Sequence, residues 1–145
     1  MKLSTKGRYG LRALVDLAVH GEEAPVSIQS IAVRQNISER YLEQLMGAMK
    51  KANLVTSTRG AQGGYRLARP AREISVGDVL RALEGDLRAV ACPAEDAGEE
   101  GCANSSSCVT RYVWQRVNEN IRHAVATIWI SQLASQGKAL EEQSN

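Results

Sequence analysis

The sequence has no uninterrupted apolar run that approaches the roughly 18 residues a membrane-spanning helix needs. Its first residues, MKLSTKGR, also lack the apolar core of a signal peptide. We therefore expect a cytoplasmic protein with no membrane partner. Apolar residues make up 43% and charged residues 23% of the chain, which is typical of a folded globular domain and excludes a wholly disordered one.

Catalytic patterns are missing as well. The chain has two histidines, and it shows no Ser/His/Asp order, no paired carboxylates and no dinucleotide fingerprint. His20 is expected to interact with the C-terminal end of the first helix, and His123 to pack on a surface or an interface. The glycine-rich stretch 59–64 lacks the Lys-Ser/Thr of a phosphate loop and is not followed by a helix. These absences predict that the protein is not an enzyme.

Cysteine is scarce but clustered, as Cys92, Cys102 and Cys108. An odd number of cysteines within 17 residues cannot all pair with one another, and cytoplasmic thiols stay reduced. Thiolates favour zinc or an iron–sulfur cluster over magnesium or calcium, while a structural zinc site would want tight Cys-x2-Cys pairs. An iron–sulfur cluster usually needs a fourth ligand. Incidental surface thiols are the alternative.

Charge is divided unevenly along the chain. Residues 1–72 carry 12 Lys/Arg against 5 Asp/Glu, a net +7, whereas residues 73–110 carry 2 against 8, a net −6. A basic half beside an acidic segment indicates a module that binds a polyanion, joined to a second element.

The basic half has the pattern of a helix-turn-helix. Apolar residues recur at helical spacing in a first helix that Ser4 or Thr5 can cap, and Ser27 and Ser38 can cap two more. Between the last two helices, Ala32 allows a close crossing and Asn36 suits a left-handed turn. The third helix would bury Leu42, Leu45, Met46 and Met49 and would turn its outer face toward the DNA major groove. A helical hairpin in an unrelated protein is the alternative.

A β-hairpin is predicted directly after this helix. Residues 54–58 and 65–67 are strand candidates around a glycine-rich tip, which makes a wing. Arg59, with Arg66 and Arg69 nearby, could reach phosphates or a narrow minor groove. The fold class is therefore mainly α with a small β-hairpin wing, that is, a winged helix-turn-helix followed by a long C-terminal dimerisation helix.

The rest of the chain completes the predicted domain organisation. Ser75 and Asp78 form a capping box for a fourth helix that ends near Gly85, so residues 1–85 make the winged helix-turn-helix domain. Residues 86–108 form the cysteine-containing loop, 109–135 one dimerisation helix about 40 Å long, and 136–145 a frayed polar tail. The residues predicted at the dimer interface are Val117, Ile121, Val125, Ile128 and Trp129.

Five stretches in this order resemble the winged-helix regulators of the Rrf-two type, and most closely their iron–sulfur cluster assembly regulators. They are KLSTKGRYGLRAL, ISERYLEQLM, LVTSTRGAQGGYRL, ISVGDVLRALEG and the three-cysteine loop, and the resemblance spans about residues 1–135. It implies a homodimeric repressor of iron–sulfur cluster assembly genes that binds a near-palindromic double-stranded operator. Iron–sulfur assembly proteins or cysteine-synthesis proteins are candidate partners.

The resemblance also assigns residues. Cys92, Cys102 and Cys108 match the cluster cysteines, with a [2Fe–2S] cluster expected and [4Fe–4S] as the alternative. The stretch around Glu43 matches the base-reading residues and Arg59 the wing arginine. The residues predicted to contact DNA are Ser38, Arg40, Tyr41, Glu43, Gln44, Lys51, Arg59 and Gly60.

Three features depart from this pattern, and one of them is a first cysteine spacing, Cys92 to Cys102, that is longer than is usual for the family. Such regulators place a ligand histidine where this chain has Arg111, which is permanently protonated and cannot bind iron. The position of a carboxylate ligand used by nitric-oxide-sensing relatives is Arg8. The candidate fourth ligands in the loop are Glu95, Asp96, Glu99, Glu100 and Asn104. Alternatively these acids are a solvated face, and a small exogenous thiol, water or a residue of the other subunit is the fourth ligand. Two other functions remain as alternatives to a repressor controlled by an iron–sulfur cluster. One is a nitric-oxide or redox sensor of the same fold, and the other is a clusterless regulator controlled by a partner protein or metabolite.

Overall fold

Three helices begin the fold, and each starts at a serine cap. The computed structural model describes residues 3–90 and 107–144. Helix α1 spans Thr5–His20, α2 Ile28–Gln35 and α3 Glu39–Lys51. The side chains of Ser4, Ser27 and Ser38 each accept a backbone N–H of the first turn, which confirms the predicted caps.

Helices α2 and α3 meet at a sharp turn. Asn36 adopts the left-handed conformation, with φ 53° and ψ 51°. The Ile37 amide then donates to the Ala32 carbonyl at 3.0 Å, which closes the end of α2. The predicted helix-turn-helix joint is confirmed at this residue.

The wing is a two-stranded antiparallel sheet. Strand β1 spans Val55–Thr58 and β2 spans Gly64–Leu67, with Val55 opposite Leu67. The chain before α2 extends this pairing, because Val26 and Tyr65 exchange both backbone hydrogen bonds, at 2.9 and 2.8 Å. Gly64 has φ 155°, and a Cβ there would lie 2.3 Å from the Val26 carbonyl oxygen, so this close approach requires glycine.

Helix α4, Val76–Glu84, closes the domain after a short 3₁₀ turn at Ala71–Glu73. Ser75 and Asp78 form the predicted capping box, and the helix ends at Gly85. The core lies among the four helices and the wing, and the C-terminal part of the chain adds Ile130 to it. Its largest fully buried side chains are Leu14, Leu17, Ile31, Leu42, Met46, Met49, Leu54, Val55, Ile74, Val79 and Ile130.

The predicted single helix over 109–135 is wrong. The chain forms α5, Arg111–Ala126, and then a separate helix α6, Ile130–Ser144. Backbone hydrogen bonds from Val76 to Ile128 (2.8 Å) and from Ile130 to Ile74 (2.9 Å) pair the junction with the segment before α4. The Thr127 hydroxyl also donates to the His123 carbonyl at 3.0 Å, inside the last turn of α5. These contacts replace the hydrogen bonds that would continue the helix.

The frayed tail predicted at 136–145 is also wrong, since residues up to Ser144 are helical. Helix α6 packs on α1 and buries Ile130 and Ala134. Polar contacts add to this packing: Lys138 forms an ion pair with Glu22 at 2.7 Å, and His20 Nε2 is within hydrogen-bond distance of Glu141, at 2.9 Å. The tail is ordered because it covers α1. No helix in the described part of the chain is long and apolar enough to cross a membrane.

Candidate nucleic-acid interface and cysteine site

Helix α3 presents a polar outer face. Its apolar side, made of Leu42, Leu45, Met46 and Met49, is buried in the core. This fixes the rotation of the helix and leaves Arg40, Glu43 and Gln44 exposed. A guanidinium, a carboxylate and an amide within about one turn can donate to and accept from base edges in a major groove.

Ser38 and Tyr41, both predicted to contact DNA, also hold the start of α3 in place. The Ser38 hydroxyl accepts the Tyr41 amide at 3.2 Å. The Tyr41 side chain is half-buried, its hydroxyl is 3.0 Å from Thr5 Oγ1, and its ring meets the edge of Tyr9 with the centroids 6.3 Å apart. Tyr41 therefore connects α3 to the first turn of α1.

The last turn of α3 contacts the wing through a residue that the sequence did not single out. Lys50 Nζ donates to Ser57 Oγ at 2.6 Å, which joins α3 to β1. Lys51, predicted at the interface, is exposed beside it. No local pattern distinguishes Lys50 from Lys51, because the difference depends on where the hairpin folds back.

The wing tip is exposed and cationic. Arg59 and Gly60 both face solvent, and Gly60 has φ 109°, a conformation that side chains rarely adopt. Arg66 and Arg69, predicted near Arg59, are exposed as well, and each donates to a backbone carbonyl. Arg66 binds the Glu23 oxygen at 2.7 Å, and Arg69 binds the Glu73 oxygen at 3.4 Å. Arg59 is thus the arginine at the tip itself.

A buried polar network supports the helix-turn-helix from below. Asp16 on α1 accepts from both Arg34 and Gln35 at the end of α2. Arg12 continues the network, since it donates to the Gln35 carbonyl at 2.8 Å and stacks 5.3 Å above the centre of the Tyr9 ring. Sequence analysis missed this network; an aspartate inside the apolar stripe of α1 was the available signal.

Of the three predicted cluster cysteines, Cys108 lies within the part of the chain that the structure describes. Cys92 and Cys102 lie outside the described residues, as do the candidate ligands Glu95, Asp96, Glu99, Glu100 and Asn104. Cys108 is half-buried, and its Sγ is 3.2 Å from the Thr110 hydroxyl. That hydrogen bond, helped by the Thr110 amide and by Arg111, lowers the pKa of the Cys108 thiol. The effect favours the thiolate, which is the form that binds iron.

Arg111 is the first residue of α5, three residues after Cys108. It places a cation where the resemblance implies a histidine ligand. Of the residues that can be described, no three His, Cys, Asp or Glu side chains are close enough to hold a metal ion. The Cys108 thiol fits a thiolate-bound cluster, and its neighbour Arg111 cannot complete one.

The other end of the cysteine segment is attached to the middle of α5. Asn118, only 5% exposed, accepts the Ala89 amide at 2.9 Å and the Val90 amide at 3.4 Å, and it donates to the Val90 carbonyl at 3.1 Å. These bonds hold the backbone two residues before Cys92. The backbone at Ala89 and Val90, like that at Cys108, therefore contacts α5.

The five residues predicted at the dimer interface divide into two groups. Val117, Ile121 and Val125 are half-buried, and the last two pack against the chain's own core. Ile128 and Trp129 are 41% and 38% exposed. Other exposed apolar side chains on or next to α5 are Val109, Tyr112, Val113 and Trp114. This second set, with Ile128 and Trp129, is called the α5 apolar face below.

Comparison with known proteins agrees with this geometry. Residues 3–136 match the family model Rrf2, described as an iron-dependent transcriptional regulator. The chain is 44% identical to the protein rrf2 of Nitratidesulfovibrio vulgaris, over 92% of this chain and 87% of that one. It is 39% identical to the transcriptional regulator IscR of Serratia proteamaculans, over 93% of this chain and 80% of the relative.

Two solved structures share the fold. CymR, the global cysteine regulator of B. subtilis, superposes with a TM-score of 0.77 at 37% identity and covers 94% of this chain and 98% of its own. T. potens IscR gives 0.73 at 44% identity, with 99% and 91% covered. These relatives are transcription regulators and not enzymes, as the sequence predicts. The chain is therefore a member of the Rrf2 family of winged-helix transcription regulators and resembles IscR.

Proposed function

We propose that this protein is a homodimeric repressor of iron–sulfur cluster assembly genes, whose DNA binding depends on a cluster held by Cys92, Cys102 and Cys108. The observation that carries the DNA-binding part is the outer face of α3. Arg40, Glu43 and Gln44 are exposed there, while the opposite side of the helix is buried in the core. A recognition helix requires this arrangement.

The DNA contacts divide by chemistry. The α3 face would read base edges in the major groove, and Arg59 at the wing tip would enter a narrow minor groove or bind phosphates. The net charge of +7 over residues 1–72 supplies the sequence-independent attraction. Lys51 at the end of α3 and Gly60 at the wing tip belong to the same proposed surface.

A second copy of the chain is the proposed occupant of the α5 apolar face. Exposed tyrosine, tryptophan and valine side chains gain most from burial against an identical surface. A twofold dimer presents two recognition helices, and near-palindromic DNA offers two half-sites. Ile121 and Val125 would support this interface from beneath, because they already pack within their own chain.

The cofactor proposal rests on the cysteines. Cys108 has a lowered pKa, which favours ligation through its thiolate. When bound, a [2Fe–2S] cluster, or a [4Fe–4S] cluster as the alternative, would supply a group that is sensitive to oxidants and to iron supply. In this chain Cys108 provides a thiolate, Thr110 stabilises its charge, and Asn118 holds the approach to Cys92.

A clusterless regulator controlled by a partner protein or metabolite is the second candidate. Arg111 favours it, because a guanidinium cannot ligate iron at the position where a histidine would be expected. The structural likeness to CymR, a cysteine regulator, makes cysteine-synthesis proteins reasonable partners to test.

Anaerobic purification followed by visible and Mössbauer spectroscopy tests the proposal. The parent protein should hold iron and sulfide in a ratio that identifies the cluster, and Cys108→Ser should lose the spectrum while Asn120→Ala, at an exposed position of α5, retains it. Loss of transcriptional repression in Cys108→Ser would support control of the protein's activity by the cluster. A parent without iron that still binds DNA would favour the clusterless regulator.

A further inference from the structure

Glu84, the last residue of α4, makes an unusual set of contacts with the start of α1. One carboxylate oxygen, Oε1, accepts the Ser4 amide at 3.0 Å, the Ser4 hydroxyl at 2.6 Å and the Gly7 amide at 2.9 Å. The first backbone N–H groups of a helix have no acceptor within that helix. Two such groups at the beginning of α1 donate instead to a side chain 77 to 80 residues away. The start of α1 is fixed by α4 and not by a local motif alone.

Close packing makes this contact specific. A Cβ at Gly7 would lie 2.7 Å from Glu84 Oε1, and a Cβ at Gly10 would lie 2.2 Å from Leu83 Cδ1. Two glycines one turn apart therefore let α1 approach α4 closely enough for the carboxylate to reach the backbone. Neither helix can shift along the other without breaking these contacts.

The same turn of α1 touches the recognition helix. Thr5, between Ser4 and Gly7, has its Oγ1 3.0 Å from the Tyr41 hydroxyl, and Tyr9 lies one turn further along against the Tyr41 ring. Tyr41 is adjacent to Arg40 and lies two residues before Glu43. Any movement of the first turn of α1 would reach these DNA-facing side chains through Tyr41.

We infer that Glu84 is a positioning residue for the recognition helix: it holds the first turn of α1, which in turn holds Tyr41 and the start of α3. This inference rests on the proposed DNA-binding role of α3. Glu84 does not belong to the proposed DNA surface itself.

The test measures binding of a labelled duplex that the parent protein has selected from a random library. Glu84→Ala should weaken binding about 5- to 10-fold, and Glu84→Gln, which keeps the shape and one acceptor oxygen, should weaken it less. Asp86→Asn is the matched control, because Asp86 is exposed near the same helix end and pairs with Arg88; it should bind like the parent. The logarithm of the DNA association constant should fall with the logarithm of the salt concentration at the same slope in Glu84→Ala as in the parent, since no phosphate contact is lost.

A double-mutant cycle separates positioning from general destabilisation. Tyr41→Phe removes the hydroxyl that meets Thr5, so in the Glu84→Ala background it should cost much less affinity than in the parent. Additive losses, or a Glu84→Ala protein that binds like Asp86→Asn, would overturn the inference. If Glu84→Ala does not fold, Glu84→Gln with Tyr41→Phe forms the corresponding cycle and decides the inference. A parent that selects no duplex would instead reject the proposed function.

Discussion

Arg34 and Asp16 form a two-pronged ion pair beneath the helix-turn-helix, with Arg34 Nε 2.9 Å from Oδ2 and Nη2 2.7 Å from Oδ1 of Asp16. The Asp16 side chain is 2% exposed and the Arg34 side chain 33%. Hydrogen bonding to Asp16 raises the pKa of Arg34, although its own partial burial opposes this. The pair connects the middle of α1 to the residue two before the Asn36 turn.

Removing one partner of this pair should destabilise the fold. Arg34→Met leaves a buried carboxylate with Gln35 as its remaining partner, and a broken buried pair costs about 3–5 kcal/mol, with the lower end expected here because Arg34 is partly solvated. Urea unfolding of Arg34→Met measures this loss. Lys138→Met, which breaks the exposed pair with Glu22, is the control and should change little. Equal losses of unfolding free energy in the two variants would show that the Arg34–Asp16 pair stabilises the fold no more than an exposed ion pair does.

Glu43 and Arg59 should act differently on DNA. Glu43→Ala should change which bases are accepted, because a carboxylate repels phosphates and serves mainly to accept from cytosine or to exclude a wrong base, an effect of about 1–3 kcal/mol per position. Arg59→Ala should weaken binding to all duplexes that share a narrow minor groove. Affinities for a panel of selected duplexes distinguish the two, with Gln62→Ala at the wing tip as the control. The same uniform loss in both variants would contradict the division of roles.

Much of the fold could be predicted because its signals are local. Ser38 caps α3, Asn36 takes the left-handed turn, and Ser75 forms a box with Asp78, each within three residues of its partner. The break between α5 and α6 was missed because it depends on Ile128 and Ile130 pairing with the segment at 74–76, about fifty residues earlier. The apolar period ran through the junction uninterrupted, so nothing in the local sequence marked the end of α5.

The residues of the candidate site could likewise be predicted only where their signals are local in the sequence. The outer face of α3 could be predicted from the helical period of its buried residues. Tyr41 was grouped with the base-reading residues because it lies among them in sequence, whereas its contacts to Thr5 and Tyr9 depend on where α1 packs. Asn118 gave no signal at all, since its partners are backbone groups in a different segment.

Asn118 should be a stabilising residue. Asn118→Ala removes both acceptor contacts to the amides of Ala89 and Val90 and leaves these groups without that partner, which costs about 1–3 kcal/mol. Amide hydrogen exchange at residues 89 and 90 should become faster. Asn120→Ala, on the exposed side of the same helix, should leave both the exchange rates and the unfolding free energy unchanged. Unchanged exchange in Asn118→Ala would show that other contacts hold this segment.

The α5 apolar face should determine the oligomeric state. Val113→Glu or Ile128→Glu would bury an unpaired carboxylate in the proposed interface, so the dimer dissociation constant should rise at least about tenfold, that is, by ~1.4 kcal/mol. Sedimentation equilibrium measures this. Val33→Glu is the control, because Val33 is an exposed valine on α2, 82% accessible and remote in sequence from α5. A stable dimer in the α5 variants would place the interface elsewhere.

Glu84 should make stability depend on pH. The Ser4 hydroxyl, followed by the Gly7 and Ser4 amides, lowers the pKa of Glu84 below its ordinary value of 4.5. A lowered pKa gives stability that is fully present above the ordinary value and is lost as the pH falls through the folded-state pKa. The difference in unfolding free energy between the parent and Glu84→Gln should therefore be constant near neutrality and shrink below about pH 4.5. A difference that persists unchanged to pH 3 would contradict this assignment.

Selection of DNA by the protein tests the central claim most directly. Anaerobically purified protein is incubated with a random duplex library at several salt concentrations, and the bound fraction is sequenced. We predict enrichment of a near-palindromic site, with affinity that falls steeply as salt rises and with base preferences that shift in Glu43→Ala. Absence of any enriched sequence, or binding that does not respond to salt, would contradict the account.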